Sequence, residues 1–150
     1  MQDTGSKIRS IINGWREKYD DCILRSPAGD EDVRKAEEEL GRDIPGEYAE
    51  FLRCANGGEF FAPGTVFYGT AAGDIPEEML LTYNNSIVVR EDLDIPAEWI
   101  IIGTTIFEDM ICINNDGCIA QWDMTDCEIF LTWDNIVEYL EDEEMMYLDT

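Results

Sequence analysis

Residues 41–58, GRDIPGEYAEFLRCANGG, decide how the first half of this chain folds. Gly41 can supply the left-handed residue that closes a helix, so a helix is predicted to end just before it. Pro45 suits the first position of a second helix, because it lacks an amide proton and its φ is already helical. This second helix carries one apolar stripe at helical spacing, formed by Tyr48, Phe51, Leu52 and Ala55. Asn56 and Gly57 are predicted to end it.

Two more helices are predicted on the N-terminal side of this stretch. Isoleucine and tryptophan recur at helical spacing over about residues 4–19, which indicates an amphipathic helix. Residues 20–29 include Ser-Pro-Ala-Gly and are predicted to form a loop. Residues 30–40 are predicted to form the helix that the glycine above closes.

Beyond Gly58 the spacing of apolar residues changes from helical to alternating, which indicates strands. Residues 60–61 and 66–68 are predicted to form a hairpin. Because neighbouring side chains of a strand point to opposite faces, one of the two adjacent phenylalanines is predicted to be exposed. Phe61 is therefore a candidate anchor for a partner protein.

The second half of the chain indicates an antiparallel sheet. Its predicted strands are residues 99–103, 110–114, 118–122 and 128–132. The Asp116-Gly117 pair favours a two-residue type I′ turn between the middle two strands. That turn would place Cys112 opposite Gln121 across the hairpin.

Two further segments flank this sheet: one is predicted to be a helix, and the other could be either a helix or a strand. The chain is predicted to close with a helix that Thr132 or Asp134 caps. Because residues 141–144 place four carboxylates at the negative end of that helix, fraying is expected after about Asp142. Residues 79–90 fit a helix by spacing, but their β-branched run also suits a strand.

The order of these features resembles that of the SUKH superfamily, which contains bacterial toxin-immunity proteins and fungal cell-wall-assembly regulators. The resemblance covers about residues 30–145, and it also includes an Ile95-Pro96 step and Asp109 before a strand. Its signature residues in this sequence are Gly41, Pro45, Tyr48, Phe51, Asn56, Gly57, Trp122 and Trp133. It implies a helix within residues 79–90. Together with the patterns above it predicts one α+β domain over residues 1–150, in which N-terminal helices pack on a curved, largely antiparallel sheet of about five or six strands and a C-terminal helix closes the fold.

The charge of the chain is strongly negative and unevenly distributed. The formal net charge is −24, and residues 54–150 contain 21 acidic residues against a single basic one, Arg90. Such a field repels nucleic acids and anionic membranes, because those partners require Lys and Arg. It favours a basic protein partner, although acidity also serves solubility.

The sequence contains no histidine, which removes the commonest general base and metal ligand. Residues 112–123 match the spacing of a calcium loop only in part, because Cys112 occupies the position of an oxygen ligand. No cofactor and no metal site are therefore predicted. Five cysteines without a CxxC pair, together with the absence of a signal-like start or an apolar span, favour a reduced, cytoplasmic protein.

The resemblance implies a non-enzymatic immunity protein that binds and neutralises a polymorphic toxin domain, commonly a nuclease. Acidic residues near strand ends and turns are the candidate partner-binding residues: Asp92, Asp94, Glu98, Glu108, Asp109, Asp116, Asp123 and Asp126. Two alternatives stay open. An intracellular scaffold or regulatory interaction domain would bind a cellular protein, and a carboxylate-based hydrolase would need two inward-facing acids in one pocket.

Overall fold

A computed structural model describes residues 3–91 and 93–149 of the chain. The α-helices are α1 (Thr4–Lys18), α2 (Asp30–Leu40), α3 (Gly46–Cys54), α4 (Leu81–Asn84), α5 (Ile87–Arg90) and α6 (Ile136–Leu148), with a 3-10 turn at Glu77–Met79. The bounds of α1, α2 and α3 are close to those predicted, so the three N-terminal helices are confirmed. Among the described residues, no helix combines the length and the apolar character that crossing a bilayer requires.

The strands form one antiparallel sheet in chain order from β1 to β7. They are β1 (Ile23–Leu24), β2 (Gly58–Glu59), β3 (Val66–Phe67), β4 (Ile100–Thr104), β5 (Met110–Ile113), β6 (Ile119–Asp123) and β7 (Glu128–Trp133). The α+β class is confirmed, but the described sheet has seven strands rather than five or six. The first three strands are two residues long, which is too short for an alternating pattern, and β1 lies within the predicted loop.

The stretch from residue 41 to residue 58 folds as its sequence predicts, with one shift. Gly41 ends α2 with φ 73° and ψ 21°, in the left-handed region. Pro45 precedes α3 instead of occupying its first position, since its ψ of 137° is extended. The carbonyl of Pro45 accepts hydrogen bonds from the amides of Tyr48 and Ala49, so it is the N-cap.

Asn56 and Gly57 join α3 to the sheet through buried backbone. The Asn56 side chain accepts hydrogen bonds from the Thr70 amide at 2.8 Å and the Thr70 hydroxyl at 3.0 Å. It also donates to the Thr70 carbonyl at 3.2 Å. Gly57 has φ 82°, and a Cβ added there would lie 2.6 Å from the carbonyl oxygen of Phe67.

Replacing Gly57 with alanine is expected to lower the free energy of unfolding by about 2–3 kcal/mol, because strain at positive φ is joined by a backbone clash. Urea denaturation followed by circular dichroism measures this change. The matched control is Gly14→Ala on α1, where an added Cβ meets nothing within 4 Å. That substitution should leave stability unchanged or raise it by up to about 1 kcal/mol. Equal effects of the two substitutions would contradict the argument.

The two faces of the sheet are covered by different parts of the chain. One face packs against α1, α3 and α6, and we call it the helical face. There the Phe67 ring lies 5.6 Å from Tyr139 of α6 and 5.3 Å from Phe51 of α3, measured between ring centroids. The other face is covered by the described residues between α5 and β4, which we call the covering segment. There the Trp122 indole donates to the Leu93 carbonyl at 3.0 Å. The centre of the sheet is consequently buried on both sides.

The predicted register of the β5–β6 hairpin is wrong by one residue. Cys112 pairs with Ala120 rather than with Gln121, which lies opposite Ile111. The connection contains three residues between Asn114 and Cys118 instead of two, and its last residue is left-handed with φ 87°. The Asn114 carboxamide stabilises this longer turn by accepting a hydrogen bond from the Cys118 amide at 3.0 Å. Ile111 and Gln121 therefore belong to the helical face.

Residues 79–90 are helical, as the resemblance implied, but as the short α4 and α5 rather than one helix. Asn85 follows α4 and exchanges two hydrogen bonds of 2.8 Å with the backbone of Ile101 in β4. The Arg90 guanidinium donates to three backbone carbonyls, those of Trp99, Ile95 and Pro96. Burial lowers the pKa of Arg90. This cation therefore holds the covering segment in place rather than offsetting surface charge.

The predicted fraying of the closing helix is wrong. Asn135, not Thr132 or Asp134, caps α6 by accepting a hydrogen bond from the Glu138 amide at 2.9 Å, and the helix continues to Leu148. Its carboxylates receive hydrogen bonds from hydroxyl groups, as in the 2.6 Å bond from Tyr19 to Glu144. These donors, together with ring stacking by Tyr147, offset the unfavourable helix dipole.

The predicted exposure of Phe61 is also wrong. Phe60 and Phe61 follow β2 in the connection to β3, and both are buried, with 0% and 8% of their surfaces exposed. Phe61 has φ 52°, so the alternation of a regular strand is broken and both rings point inward. Phe61 stacks on Tyr147 of α6 with ring centroids 4.4 Å apart. It stabilises the C-terminal helix and is not an exposed anchor.

Candidate protein-binding site

The predicted partner-binding carboxylates do not form one patch. The sheet register places the β4–β5 turn beside the β6–β7 turn at one end, and the β5–β6 turn at the other. The first end holds Glu108, Asp109, Asp123 and Asp126, whereas Asp116 lies at the opposite end. Asp94 and Glu98 are exposed on the covering segment, and Asp92 lies outside the described residues. The largest group, residues 105–109 and 123–127, is named the acidic turns below.

Two of the four carboxylates in the acidic turns shape the turns themselves. Asp109 accepts a hydrogen bond from the Gln121 carboxamide at 2.9 Å and another from the Met124 amide at 3.3 Å, which links the two turns. Asp123 accepts hydrogen bonds from two amides of its own turn, at 2.7 and 3.1 Å. Glu108 and Asp126 are exposed. They are therefore the carboxylates most available to a partner.

Beside the acidic turns, a cleft of about 580 Å³ opens on the helical face between the sheet and α6. Gln121, Leu131 and Trp133 contribute to it from β6 and β7, and the β4–β5 turn and α6 form its sides. Its exposed apolar residues are Phe107 (78% exposed), Met146 (65%), Phe130 (62%), Ile106 (59%) and Leu131 (47%). Several large apolar side chains around one cleft are typical of an interaction site.

The β7 strand borders this cleft and forms the last strand of the described sheet. Residues 128–132 are exposed, and only Trp133 is partly buried. Phe130 has no partner on β6, because the register shifts there and leaves it as a β-bulge. The strand contains neither proline nor lysine, two residues that commonly protect an edge from pairing with other chains.

Sequence reasoning missed this apolar surface. The run Ile129-Phe130-Leu131 departs from the alternation expected of a strand with one buried face. Such a run is typical of a strand covered on both faces, whereas residues 128–132 are exposed in the structure. The continuous apolar run was the available signal. The apolar pair Ile106-Phe107 within a turn is a second signal of the same kind.

The carboxylates that line the cleft are engaged by nearby donors. Asp142 accepts a hydrogen bond from the Trp133 indole at 3.0 Å. Glu143 accepts from the Tyr139 hydroxyl at 2.7 Å and the Thr65 hydroxyl at 3.2 Å. Burial raises the pKa of Glu143 above its ordinary value. No cationic side chain lines this cleft in the described part of the chain, so its polar border is negative or neutral.

The raised pKa of Glu143 gives a pH-dependent prediction for stability. Between the unfolded and folded pKa values the folded protein retains a proton that the unfolded chain has lost, so the free energy of unfolding falls as pH rises through this window. Glu143→Gln removes the titrating carboxyl, and with it this fall in the free energy of unfolding, but keeps an oxygen acceptor for Tyr139. The variant should therefore gain stability relative to the parent as pH rises from about 4.5 through this window, and the difference should then level off.

Urea denaturation of the parent and the variant from pH 4 to pH 8 measures this difference. The control is Glu141→Gln, an exposed position on the same helix. It corrects for the general effect of removing one negative charge from a strongly acidic protein. A difference between parent and Glu143→Gln that stays constant with pH would contradict the prediction.

The signature residues of the sequence mainly build the fold. The Tyr48 hydroxyl donates to the Tyr68 carbonyl in the core, and Phe51 is fully buried. Trp133 is the signature residue that lines the cleft. The signature therefore identifies the scaffold rather than a binding surface, and this explains why it did not predict the cleft.

Charge separates the second half of the described chain from the first. Residues 91–150 contain 17 Asp and Glu and no Lys or Arg. Together with the cleft, these carboxylates are suited to attracting a cationic surface and contacting it through both charged and apolar side chains.

The carboxylates do not form a metal site in the described residues. No group of three or more His, Cys, Asp or Glu among residues 3–91 and 93–149 has a geometry that could hold a metal ion.

The sequence model of the SMI1 / KNR4 family (SUKH-1) matches residues 27–142. The match includes α2, α3, the strands from β2 to β7 and the first half of α6. No curated protein sequence matches the chain significantly.

Proposed function

Because this chain belongs to the SMI1 / KNR4 family (SUKH-1), we propose that it is an immunity protein. It binds a toxin domain, most simply a nuclease, and neutralises that domain by occupying its substrate-binding surface. The acidic turns make the first contact. No chemical step by the chain's own side chains is required, and the protein acts where the toxin would reach nucleic acid, in the cytoplasm.

The observation that carries this proposal is the uniform sign of the charge over residues 91–150. A nuclease must attract phosphate, so its substrate cleft presents Lys and Arg. An acidic protein is complementary to that cleft and competes directly with the nucleic acid. The same field makes nucleic acid itself an unfavourable partner for this chain.

The hydrogen bonds of the cleft carboxylates favour a binding role over catalysis. Asp109 and Asp142 are engaged with groups that position the turns and Trp133. Glu143 is held by two hydroxyl donors. A glycosidase-like pair needs one acid free to donate a proton and a second free to attack or activate water. These carboxylates instead act as fixed acceptors within the fold.

Co-expression tests the proposal directly. The chain is produced together with each of a panel of inducible nuclease toxin domains, beginning with any domain encoded beside it, and survival is scored. We expect one toxin domain, or a closely related set, to be neutralised, with purified chain forming a stable complex with it. Binding to a cellular protein without rescue from any toxin would contradict the proposal and favour the scaffold alternative.

The affinity for that toxin domain should depend strongly on salt. Raising NaCl from 50 to 500 mM shortens the Debye length and screens the exposed charges, so the dissociation constant should rise at least about tenfold. Isothermal titration calorimetry or biolayer interferometry at several salt concentrations measures this change. An affinity that stays constant over the range would remove the electrostatic basis of the proposal.

A further inference from the structure

We propose that the cleft and the free edge of β7 receive an extended, Lys- or Arg-containing segment of the toxin domain. The segment adds to the sheet beside β7 and inserts an apolar side chain into the cleft. This inference rests on the proposed function, because it assigns the segment to a toxin. It specifies that the toxin binds through an extended segment, which the charge of this chain alone does not indicate.

The first support is the geometry of the edge. A strand at the end of a sheet presents backbone amides and carbonyls that an extended segment can pair with. In the described sheet β7 is such a strand, and its outer side has no neighbouring strand. The bulge at Phe130 limits regular pairing, so the most regular part of the edge is Leu131–Trp133.

The second support is the position of the cleft beside this edge. In strand addition the backbone supplies affinity, and pockets for alternate side chains supply specificity. Leu131 and Trp133 are two residues apart and both line the cleft, so they lie on the same face of β7. A side chain of the added strand on that face would enter the same cleft. Phe107 and Met146 would contact this inserted side chain from the two sides of the cleft.

The third support is charge, which selects the partner. Residues 105–149 contain no basic residue, and Asp109, Asp142 and Glu143 line the cleft itself. A second copy of this chain would bring an equally acidic strand and helix against the same surface, and like charges in contact are unfavourable. A segment in which apolar residues alternate with Lys or Arg places apolar side chains in the cleft, and its cations on the other face are attracted by the negative field of this end of the chain.

A synthetic peptide with alternating lysine and apolar residues, KVKFKVK with blocked ends, tests the inference without a toxin. It is titrated into the ¹⁵N-labelled full chain at 150 mM NaCl. Amide shifts should concentrate in β7, in the C-terminal half of α6 and around Phe107, and β7 amides should exchange more slowly. The charge-matched peptide KSKSKSK should bind at least about tenfold more weakly, because it lacks the apolar anchor.

Variants of the chain separate the cleft from general electrostatics. Phe107→Ser combined with Met146→Ser alters two strongly exposed side chains and should weaken KVKFKVK binding at least about tenfold while leaving the fold intact. Ile87→Ser is the control, because Ile87 is 85% exposed on α5 and does not line the cleft. It should change neither the affinity nor the pattern of shifts.

Three results would overturn the inference: equal affinity for the two peptides, shifts centred away from β7, or full KVKFKVK affinity in the double variant. A concentration-dependent dimer that protects β7 without peptide, seen by sedimentation and hydrogen exchange, would assign the edge to a second copy instead. Normal toxin neutralisation by the Phe107→Ser, Met146→Ser variant would contradict the inference alone. Peptide binding at the cleft without rescue from any toxin would contradict the proposed function and the assignment of the segment to a toxin, while supporting strand addition at β7.

Discussion

Exchanging Glu108 and Asp126 for lysine is expected to weaken binding of the cognate toxin domain about 100-fold while leaving the chain folded. The two carboxylates are exposed in neighbouring turns at one end of the sheet. Each substitution replaces an attraction to the toxin's cations with a repulsion. Close charge pairs across an interface have coupling energies of about 1.5–7 kcal/mol, and 1.4 kcal/mol corresponds to a tenfold change in affinity.

The control for this prediction carries the same change in net charge at another place. Glu17→Lys combined with Glu39→Lys alters two exposed glutamates on α1 and α2, away from the acidic turns. If position matters, this variant should lose only the weak, long-range part of the attraction, less than about tenfold at 150 mM salt. Similar losses in both double variants would mean that total charge, rather than the acidic turns, determines binding. Thermal unfolding of all variants confirms that they remain folded.

The longer helices and strands with regularly spaced apolar residues could be predicted from sequence, because the residues that form the spacing are the ones that the core buries. The stripe on α3 is apolar because that face packs on the core, and Tyr48 and Phe51 are accordingly fully buried. The strands β4 to β6 were located for the same reason, since most of their residues are buried. The two-residue strands β1 to β3 have no such pattern, since tertiary contacts alone define them.

Details that depend on one or two backbone angles could not be predicted. The β5–β6 turn contains one residue more than its Asp-Gly pair suggests, and that residue changes which side chains share a face. Phe61 was expected to follow strand alternation, but its positive φ turns the ring inward. Both errors arise from local geometry that alternation rules do not include.

The candidate site was only partly predictable, because its parts come from three separate elements. The sequence indicated acidic turns, and two of their carboxylates are indeed exposed. It did not indicate that the β4–β5 turn, β7 and α6 meet around one apolar cleft. The extension of α6 to Leu148 creates one side of that cleft. This extension depends on hydroxyl donors that are distant in sequence, such as Tyr19.

Replacing Phe67 with alanine is expected to lower the free energy of unfolding by about 3–5 kcal/mol, the largest stability effect predicted for a single substitution here. The Phe67 ring lies within 4.7–5.8 Å of four other aromatic rings, measured between centroids, and joins β3 to α3 and α6. Those four rings belong to Tyr48, Phe51, Phe60 and Tyr139. Its removal leaves a cavity where both packed layers meet, and rigid neighbours can fill it only partly.

A loss of this size is a large fraction of the 5–15 kcal/mol that holds a typical domain folded. Urea denaturation should therefore show a much lower midpoint, and protection against the toxin should fail at 37 °C through loss of folded protein. Phe107→Ala is the matched control, because the same side chain is removed from a site that is 78% exposed. It should cost less than about 1 kcal/mol. Comparable losses at the two positions would show that the ring cluster around Phe67 is not the centre of the core.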